Sequence, residues 1–414
     1  MKKVLALMLS ATMVLSLTAC GNSSKKETEK TTEKKATEKV VETEKATEAE
    51  TQTEKVTEKT TEAETQTEKA TEKATEAETK AEKTTEKTTE KTTEKTTEAE
   101  TKKEAVTRDE DFKAALVIGV GGLGDGSFND SMKAGMDEAV EKYGITYQLV
   151  EPTEVAEFEG HFTDLSASGE YDLIVAGGFD AAEAMTNVAT EFPEQKYLFV
   201  DGVVEGLDNV TSVTYRDNEK TYLLGVMAAM TTKTNKLGVV LGIDTPSLIV
   251  FAAGFMAGAY SANPDVEVNV KYVGSFADTT TAKELAMALN DEGADIVYAA
   301  AGGSGLGVFS AASEKGFLAI GADTNQCLLD PDVIMVSGIR LVDVTICNGI
   351  GAAIEGTLEG GSTTEGLAEG ALTYTNEGSK VEISKEAIDA AEEAREKIIA
   401  GEIVVPDTYE GVEK

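Results

Sequence analysis

From residue 112 onward, short apolar runs alternate with amphipathic segments, and that alternation constrains the fold of this 414-residue chain more than any other feature. A first series comprises AALVIGV, ITYQLVE, DLIVAGG, KYLFVDG and VTSVTYR; a second comprises KLGVVLGI, EVNVKYVG, DIVYAA, LAIGAD and VIMVSGI. Between them, segments such as DSMKAGMDEAVEKYG and TTAKELAMALNDEG repeat apolar residues at helical spacing. Strand, helix, strand at these intervals predicts parallel sheets with helices on both faces. TYLLGVMAAMTTKTNK, ending at residue 236, reads as a helix closing the first series. The body, residues 108–414, is about 307 residues long, more than one core usually holds. The expected class is α/β: two doubly wound lobes around a ligand cleft. The first lobe spans 111–235, completed by part of 345–414; the second spans 236–344; residues 345–414 form a crossover and C-terminal segment.

The first residues set the compartment. Lys2 and Lys3 precede an apolar stretch, Val4 to Leu17, that is too short to span a membrane and has the form of a secretory signal. Leu17-Thr18-Ala19-Cys20 resembles a bacterial lipobox, which implies cleavage after residue 19, a diacylglycerol on Cys20 and anchoring to an outer membrane face. Residues 20–110 then run almost entirely in Thr, Glu, Lys and Ala. Such a segment has no apolar surface to offset the entropy of ordering, so a solvated stalk is expected.

The net charge is −37; the n-region carries +2 and residues 22–107 carry −5, which leaves −34 on the body. A surface this acidic excludes nucleic acid as a partner, because phosphates are held by Lys and Arg. The two other cysteines, Cys327 and Cys347, stand in apolar surroundings and read as buried thiols. The lone histidine, His161, has no second ligand beside it for a metal. The chain lacks a G-x-S-x-G elbow (GGSGLG has Leu306 in the last place), a phosphate-binding P-loop and an EF-hand. No metal, cofactor or enzymatic activity is therefore expected.

ALVIGVGGLGDGSFND raises one further possibility. Gly119 to Gly124 fit G-x-G-x-x-G after a strand, and Glu151 ends the next strand, as in dinucleotide-binding folds. An extracytoplasmic compartment argues against such a cofactor. Asp125, Ser127, Phe128 and Asn129 follow at the strand's C-terminal end, where open α/β sheets bind ligands. A carboxylate, a hydroxyl, an aromatic ring and an amide suit an uncharged polar ligand with a flat ring. Asp125 or Ser127 could equally cap the helix that follows.

The body resembles the basic membrane protein family of substrate-binding lipoproteins, and within it the purine nucleoside receptors of ABC importers. The resemblance rests on GVGGLGDGSFNDSMKAGM, GVVLGIDTPSLIVFAAGFMAGAYSANPDVEVNVKYVGSFADTTTAKELA, GADIVYAAAGGSGLGVFSAASEKG, AIGADTNQ and VIMVSGIRLVDVTI, and covers about residues 112–410. It implies a type I periplasmic-binding-protein fold, a purine nucleoside in the interlobe cleft, a membrane permease as partner and a monomeric state. It places Asp125, Phe128 and Asn129 in the family's D-x-S-F-N motif, Phe251 beside the base, Gly302 and Gly303 in a turn whose amides approach the ligand, and Asp323 on ribose hydroxyls. Arg340 stands where the family usually has lysine, Asn325 where it has a second acid, and Lys133 where it often has an aromatic. Those departures imply a shifted ligand preference. A sensor presenting another ring compound, such as riboflavin or an autoinducer, and a surface nucleoside hydrolase are the alternative functions.

Overall fold

The computed structural model describes residues 111–414. The signal segment, Cys20 and the Thr/Glu/Lys-rich stretch lie outside the described residues. All ten apolar runs are strands: β1 (Lys113–Val117), β2 (Thr146–Val150), β3 (Leu173–Gly177), β4 (Tyr197–Val200), β5 (Val210–Tyr215), β6 (Lys236–Leu241), β7 (Glu267–Tyr272), β8 (Ile296–Ala300), β9 (Leu318–Asp323) and β10 (Ile334–Arg340). Two more follow, β11 (Gly361–Glu365) and β12 (Leu372–Thr375). They make two six-stranded sheets, ordered β11-β5-β4-β3-β1-β2 and β12-β10-β9-β8-β6-β7. Every pairing is parallel except that of β10 with β12. The central strands β3, β4 and β8 are buried along their whole length, as strands covered on both faces must be.

The helices are α1 (Phe128–Tyr143), α2 (Phe158–Ser168), α3 (Ala182–Glu191), α4 (Asp217–Thr231), α5 (Pro246–Ala262), α6 (Thr279–Asp291), α7 (Gly305–Lys315), α8 (Val342–Ile354) and α9 (Lys385–Ile399). The chain is thus an α/β protein of two doubly wound lobes, the type I periplasmic-binding-protein architecture. Helix α4, read from the sequence as closing the first lobe, packs instead on α5 of the second. A Cβ on Gly254 would sit 2.3 Å from the Asn218 carbonyl oxygen, and one on Gly258 would sit 2.0 Å from that of Tyr222. Only glycine lets these two helices approach so closely. The lobe boundary therefore falls at Arg216, not near residue 235. Helix α8 returns to the first lobe, where Gly135 of α1 meets the Asp343 backbone.

Three crossings join the lobes: β5 to α4, β10 to α8, and β11 to β12. They are bound to one another. The Arg216 amide donates to the Glu365 carbonyl at 2.8 Å and the Leu341 amide to that of Ala371 at 3.0 Å. Among the described residues, no helix is long and apolar enough to cross a membrane.

Candidate binding site

In each sheet the chain leaves one strand in both directions: β1 lies between β3 and β2, and β6 between β8 and β7. A crevice opens at the C-terminal ends of the strands at such a switch point. Here the two switch points face each other and enclose a cavity of about 700 Å³, open mouth included. Its lining comes from the turns after β1, β3 and β4 and the start of α1 in one lobe, and from α5, the turns after β7 and β8 and the ends of β9 and β10 in the other.

The glycine turn after β1 is folded by its own side chains. Asn129 accepts from the Gly119 amide at 2.9 Å and donates to the carbonyls of Gly119 at 3.1 Å and Gly122 at 3.0 Å. Asp125 takes the amides of Ser127, Asn129 and Asp130 at 2.8, 2.9 and 3.2 Å, so it caps α1. Asp130 takes those of Gly124 and Gly126, both at 2.8 Å. Glu151 accepts from Leu123 at 3.2 Å. A dinucleotide pyrophosphate binds the amides and positive pole of such a helix N-terminus. In this chain carboxylates already occupy that place. The G-x-G-x-x-G match therefore has a structural cause other than a cofactor. Gly126 requires a left-handed backbone, φ 57°, and its carbonyl turns to the other lobe.

That carbonyl accepts from Thr324 Oγ1 at 2.5 Å and Gln326 Nε2 at 3.0 Å, while Ser127 Oγ donates to Asp323 Oδ2 at 2.7 Å. These contacts hold the lobes closed on each other.

The floor is a buried cluster of charge. Arg340, 4 % exposed, places Nη1 at 3.0 Å from Asp201 and 3.4 Å from Asp217, and Nε at 3.0 Å from Asp323 Oδ1. The Nε–Oδ1 approach is not in line for a hydrogen bond, and both atoms are buried without one. Lys220, fully buried, sits 2.5 Å from Asp217 Oδ1 and 3.6 Å from Asp323 Oδ1. Three carboxylates face two cations. Burial raises the Asp201 carboxyl to about 6, aided by Asp217 and Asp323 and opposed by Arg340. Burial also pushes Asp323 upward, but Arg340, Lys220 and the Ser127 hydroxyl outweigh it and hold that carboxyl below its usual range. Asp125 is raised to about 6 by burial against its three backbone donors. Asp201 and Asp323 also have left-handed backbones, φ 63° and 68°, unusual for residues with a Cβ and concentrated here at the site.

Aromatic rings form the walls. The Arg340 guanidinium lies 4.9 Å from the Phe128 ring centre, 5.5 Å from Tyr215 and 5.7 Å from Phe251. Phe179 of one lobe meets Phe276 of the other edge to face, with ring centres 6.5 Å apart.

Of the residues singled out by sequence, Asp125, Phe128, Asn129, Phe251, Gly302, Gly303, Asp323 and Arg340 line the cavity. Ser127 lies beneath, on Asp323. The Asn129 amide hydrogens are committed to the glycine turn. Lys133 is remote from the lining: it is exposed on α1 and paired with Asp137 at 2.5 Å, so it removes no wall. Asn325 also stays off the lining and donates to the Glu377 carbonyl at 3.1 Å. Sequence reasoning missed Phe179, Asp180, Asp201, Asp217, Lys220 and Phe276. One signal was present: Gly274-Ser275-Phe276-Ala277-Asp278 nearly repeats Gly126-Ser127-Phe128-Asn129-Asp130. Cys327 and Cys347 are buried free thiols. No metal-binding cluster exists among the described residues.

Two α/β lobes closed over an aromatic and charged cleft define a solute-binding protein. Residues 112–409 match the family model for PnrA-like ABC transporter substrate-binding proteins, and the chain belongs to that family. It is 33 % identical over 319 residues to the ABC transporter nucleoside-binding protein BmpA of Lactococcus lactis subsp. cremoris, covering 72 % of this chain and 89 % of that one. An uncharacterized lipoprotein of Pyrococcus abyssi is 31 % identical over 357 residues, covering 75 % of this chain and 88 % of the relative. The crystal structure of an ABC transporter system solute-binding protein from Aeropyrum pernix K1 superposes with a TM-score of 0.68 at 32 % identity, covering 72 % of this chain and 95 % of that one.

Proposed function

We propose that this chain is a lipid-anchored extracytoplasmic receptor that binds a purine nucleoside between its lobes and delivers it to the permease of an ABC importer, acting as a monomer without chemistry on the ligand. The observation that carries the reading is the pairing of an aromatic slot with a buried carboxylate oxygen, Asp323 Oδ1, that has no hydrogen-bond donor of its own. Phe128, Phe179, Phe251 and Phe276 supply faces and edges for a flat base, each stack contributing about 1–3 kcal/mol. Asp323 accepts sugar hydroxyls in charge-assisted bonds, the stronger kind.

The acidic lining and the self-capped helix α1 favour a nucleoside over a nucleotide, because a 5′-phosphate would meet Asp125, Asp180 and Asp201 in place of open amides. The three crossings act as the hinge, and the Thr324, Gln326 and Ser127 contacts close the lobes over the ligand. Lipidation at Cys20 follows from the lipobox-like sequence and accords with the lipoprotein name of the Pyrococcus relative.

A thermal-shift screen against nucleosides, free bases, riboflavin, sugars and amino acids tests the reading. A ligand at 100 times its Kd adds about 2.7 kcal/mol of stability. The expected result is a raised melting temperature with guanosine, inosine or adenosine that disappears in Asp323→Ala. A rise with riboflavin or a sugar alone would replace the nucleoside.

A further inference from the structure

Lys220 is not itself part of the cavity lining, yet it packs behind two lining residues, Asp323 and Phe251, and is the most deeply buried charge near the site. It enters from the first turn of α4, just past the first interlobe crossing, and lies under the Phe251 ring at 4.9 Å. A lone buried ammonium is costly, and this one persists because Asp217 and Asp323 face it. The distances divide the work. Asp217 has its closest cation in Lys220, at 2.5 Å, and stands at 3.4 Å from Arg340. Arg340 is thereby left to Asp201 and Asp323, both at 3.0 Å.

We infer that Lys220 is a positioning residue for ligand binding: by holding Asp217 it keeps Arg340 aimed across the cleft at Asp201, and it holds the charge of Asp323, whose Oδ1 has no hydrogen-bond donor in the closed cluster. Removing the ammonium while leaving Asp217 changes the balance of the cluster from three carboxylates and two cations to three and one. Asp217 then competes for Arg340, and Asp323 loses the second cation that holds its charge in a dry site. The groups facing Asp323 are Lys220 and Asp217 from α4, Arg340 from β10, Asp201 after β4, Ser127 before α1, and the buried Tyr298 hydroxyl of β8. None but Arg340 and Lys220 is cationic, so no other group substitutes.

The proposal rests on the nucleoside reading only for its choice of probe. Two variants, Lys220→Met and Lys220→Met/Asp217→Asn, are compared with wild type by guanosine calorimetry and by carbon-13 NMR titration of the aspartate carboxyls, on the full chain. The single variant should bind guanosine about tenfold more weakly at pH 7.5, with a larger loss at pH 5.5, and its Asp323 carboxyl should titrate at higher pH than in wild type. The double variant, which removes the ion pair as a unit, should recover most of the affinity and the wild-type titration. Equal affinity and titration in all three proteins would overturn the proposal. So would a folded double variant as impaired as the single one. If wild type itself fails to bind guanosine, the nucleoside reading fails, and the Asp323 titration still decides the role of Lys220.

Discussion

Gly126-Ser127-Phe128-Asn129-Asp130 and Gly274-Ser275-Phe276-Ala277-Asp278 put nearly the same five residues on opposite sides of the cleft, and the two strings fold differently. In the first, α1 begins at the phenylalanine, and Asp130 reaches back to the amides of Gly124 and Gly126. In the second, α6 begins after the aspartate, and Asp278 reaches forward to cap it through the Thr281 amide at 2.9 Å. The fourth residue separates them. Asn129 ties the Gly119 and Gly122 carbonyls to the helix start, whereas Ala277 has nothing to tie with. The first lobe thus presents a platform whose polar groups already have partners. The second presents Asp323 and Arg340, an ion pair whose facing atoms are buried without a hydrogen bond. The contrast makes one lobe the rest against which the ligand lies and the other the grip.

The largest effect should come from the grip. Arg340→Met leaves the buried Asp217 and Asp323 and the half-buried Asp201 with Lys220 alone, and should cost about 3–5 kcal/mol of stability by denaturant unfolding and abolish ligand-induced stabilisation. Arg340→Lys keeps the charge but not the fork, and should retain the fold with weaker binding.

Next is the rest. Asn129→Ala removes three hydrogen bonds from the glycine turn, two of them buried, and should cost about 2–3 kcal/mol. If it costs nothing while binding is lost, Asn129 belongs to the grip and the contrast between the lobes breaks.

The charge imbalance predicts a pH signature. The folded Asp201 carboxyl lies at about 6 and the unfolded one near 3.8, so the folded state holds the extra proton between those values. The contribution of Asp201 to stability is present in full below about pH 4, falls as pH rises to about 6, and is flat above. The stability of wild type relative to Asp201→Asn should therefore drop by about 1–3 kcal/mol between pH 4.5 and 7.5. A parallel pair of stability curves would show that Asp201 is not held out of water.

The smallest effect is expected at Lys133. Its pair with Asp137 is exposed, and Lys133→Ala should change stability by less than about 0.5 kcal/mol and leave binding unchanged.

Much of this architecture is legible in the chain. The apolar runs are strands: the inner ones are apolar enough to be covered on both sides, and the edge strands β2 and β7 keep enough apolar residues to be marked although they are partly exposed. Two of the four edge strands escape that pattern: β11, GSTTE, is exposed and polar, and β12 is a short LTYT. An edge strand need not carry an apolar face, and these two carry no periodicity that marks them. Helix α4 was misplaced for a related reason. Its length is nearly all buried, so it carries no polar face to show which lobe covers it. At the site, most residues found lie inside motifs and, apart from Phe276 in the near-repeat GSFAD, those missed are isolated. Asp201 acquires its meaning from Arg340, more than a hundred residues away, and Lys220, beside its local partner Asp217, from the equally distant Asp323; no local spacing reveals either. The G-x-G-x-x-G string shows the converse. Its spacing is right, but the carboxylates that close the turn exclude the phosphate it usually serves.

The most direct test of the account is calorimetric titration of the full chain with guanosine and with guanosine 5′-monophosphate under the same conditions. The account predicts binding of the nucleoside, loss of that binding in Asp323→Asn, and at least about hundredfold weaker binding of the monophosphate, equivalent to about 2.7 kcal/mol. Equal affinity for the two ligands, or tighter binding of the monophosphate, would contradict the claim that this cleft is built for an uncharged nucleoside.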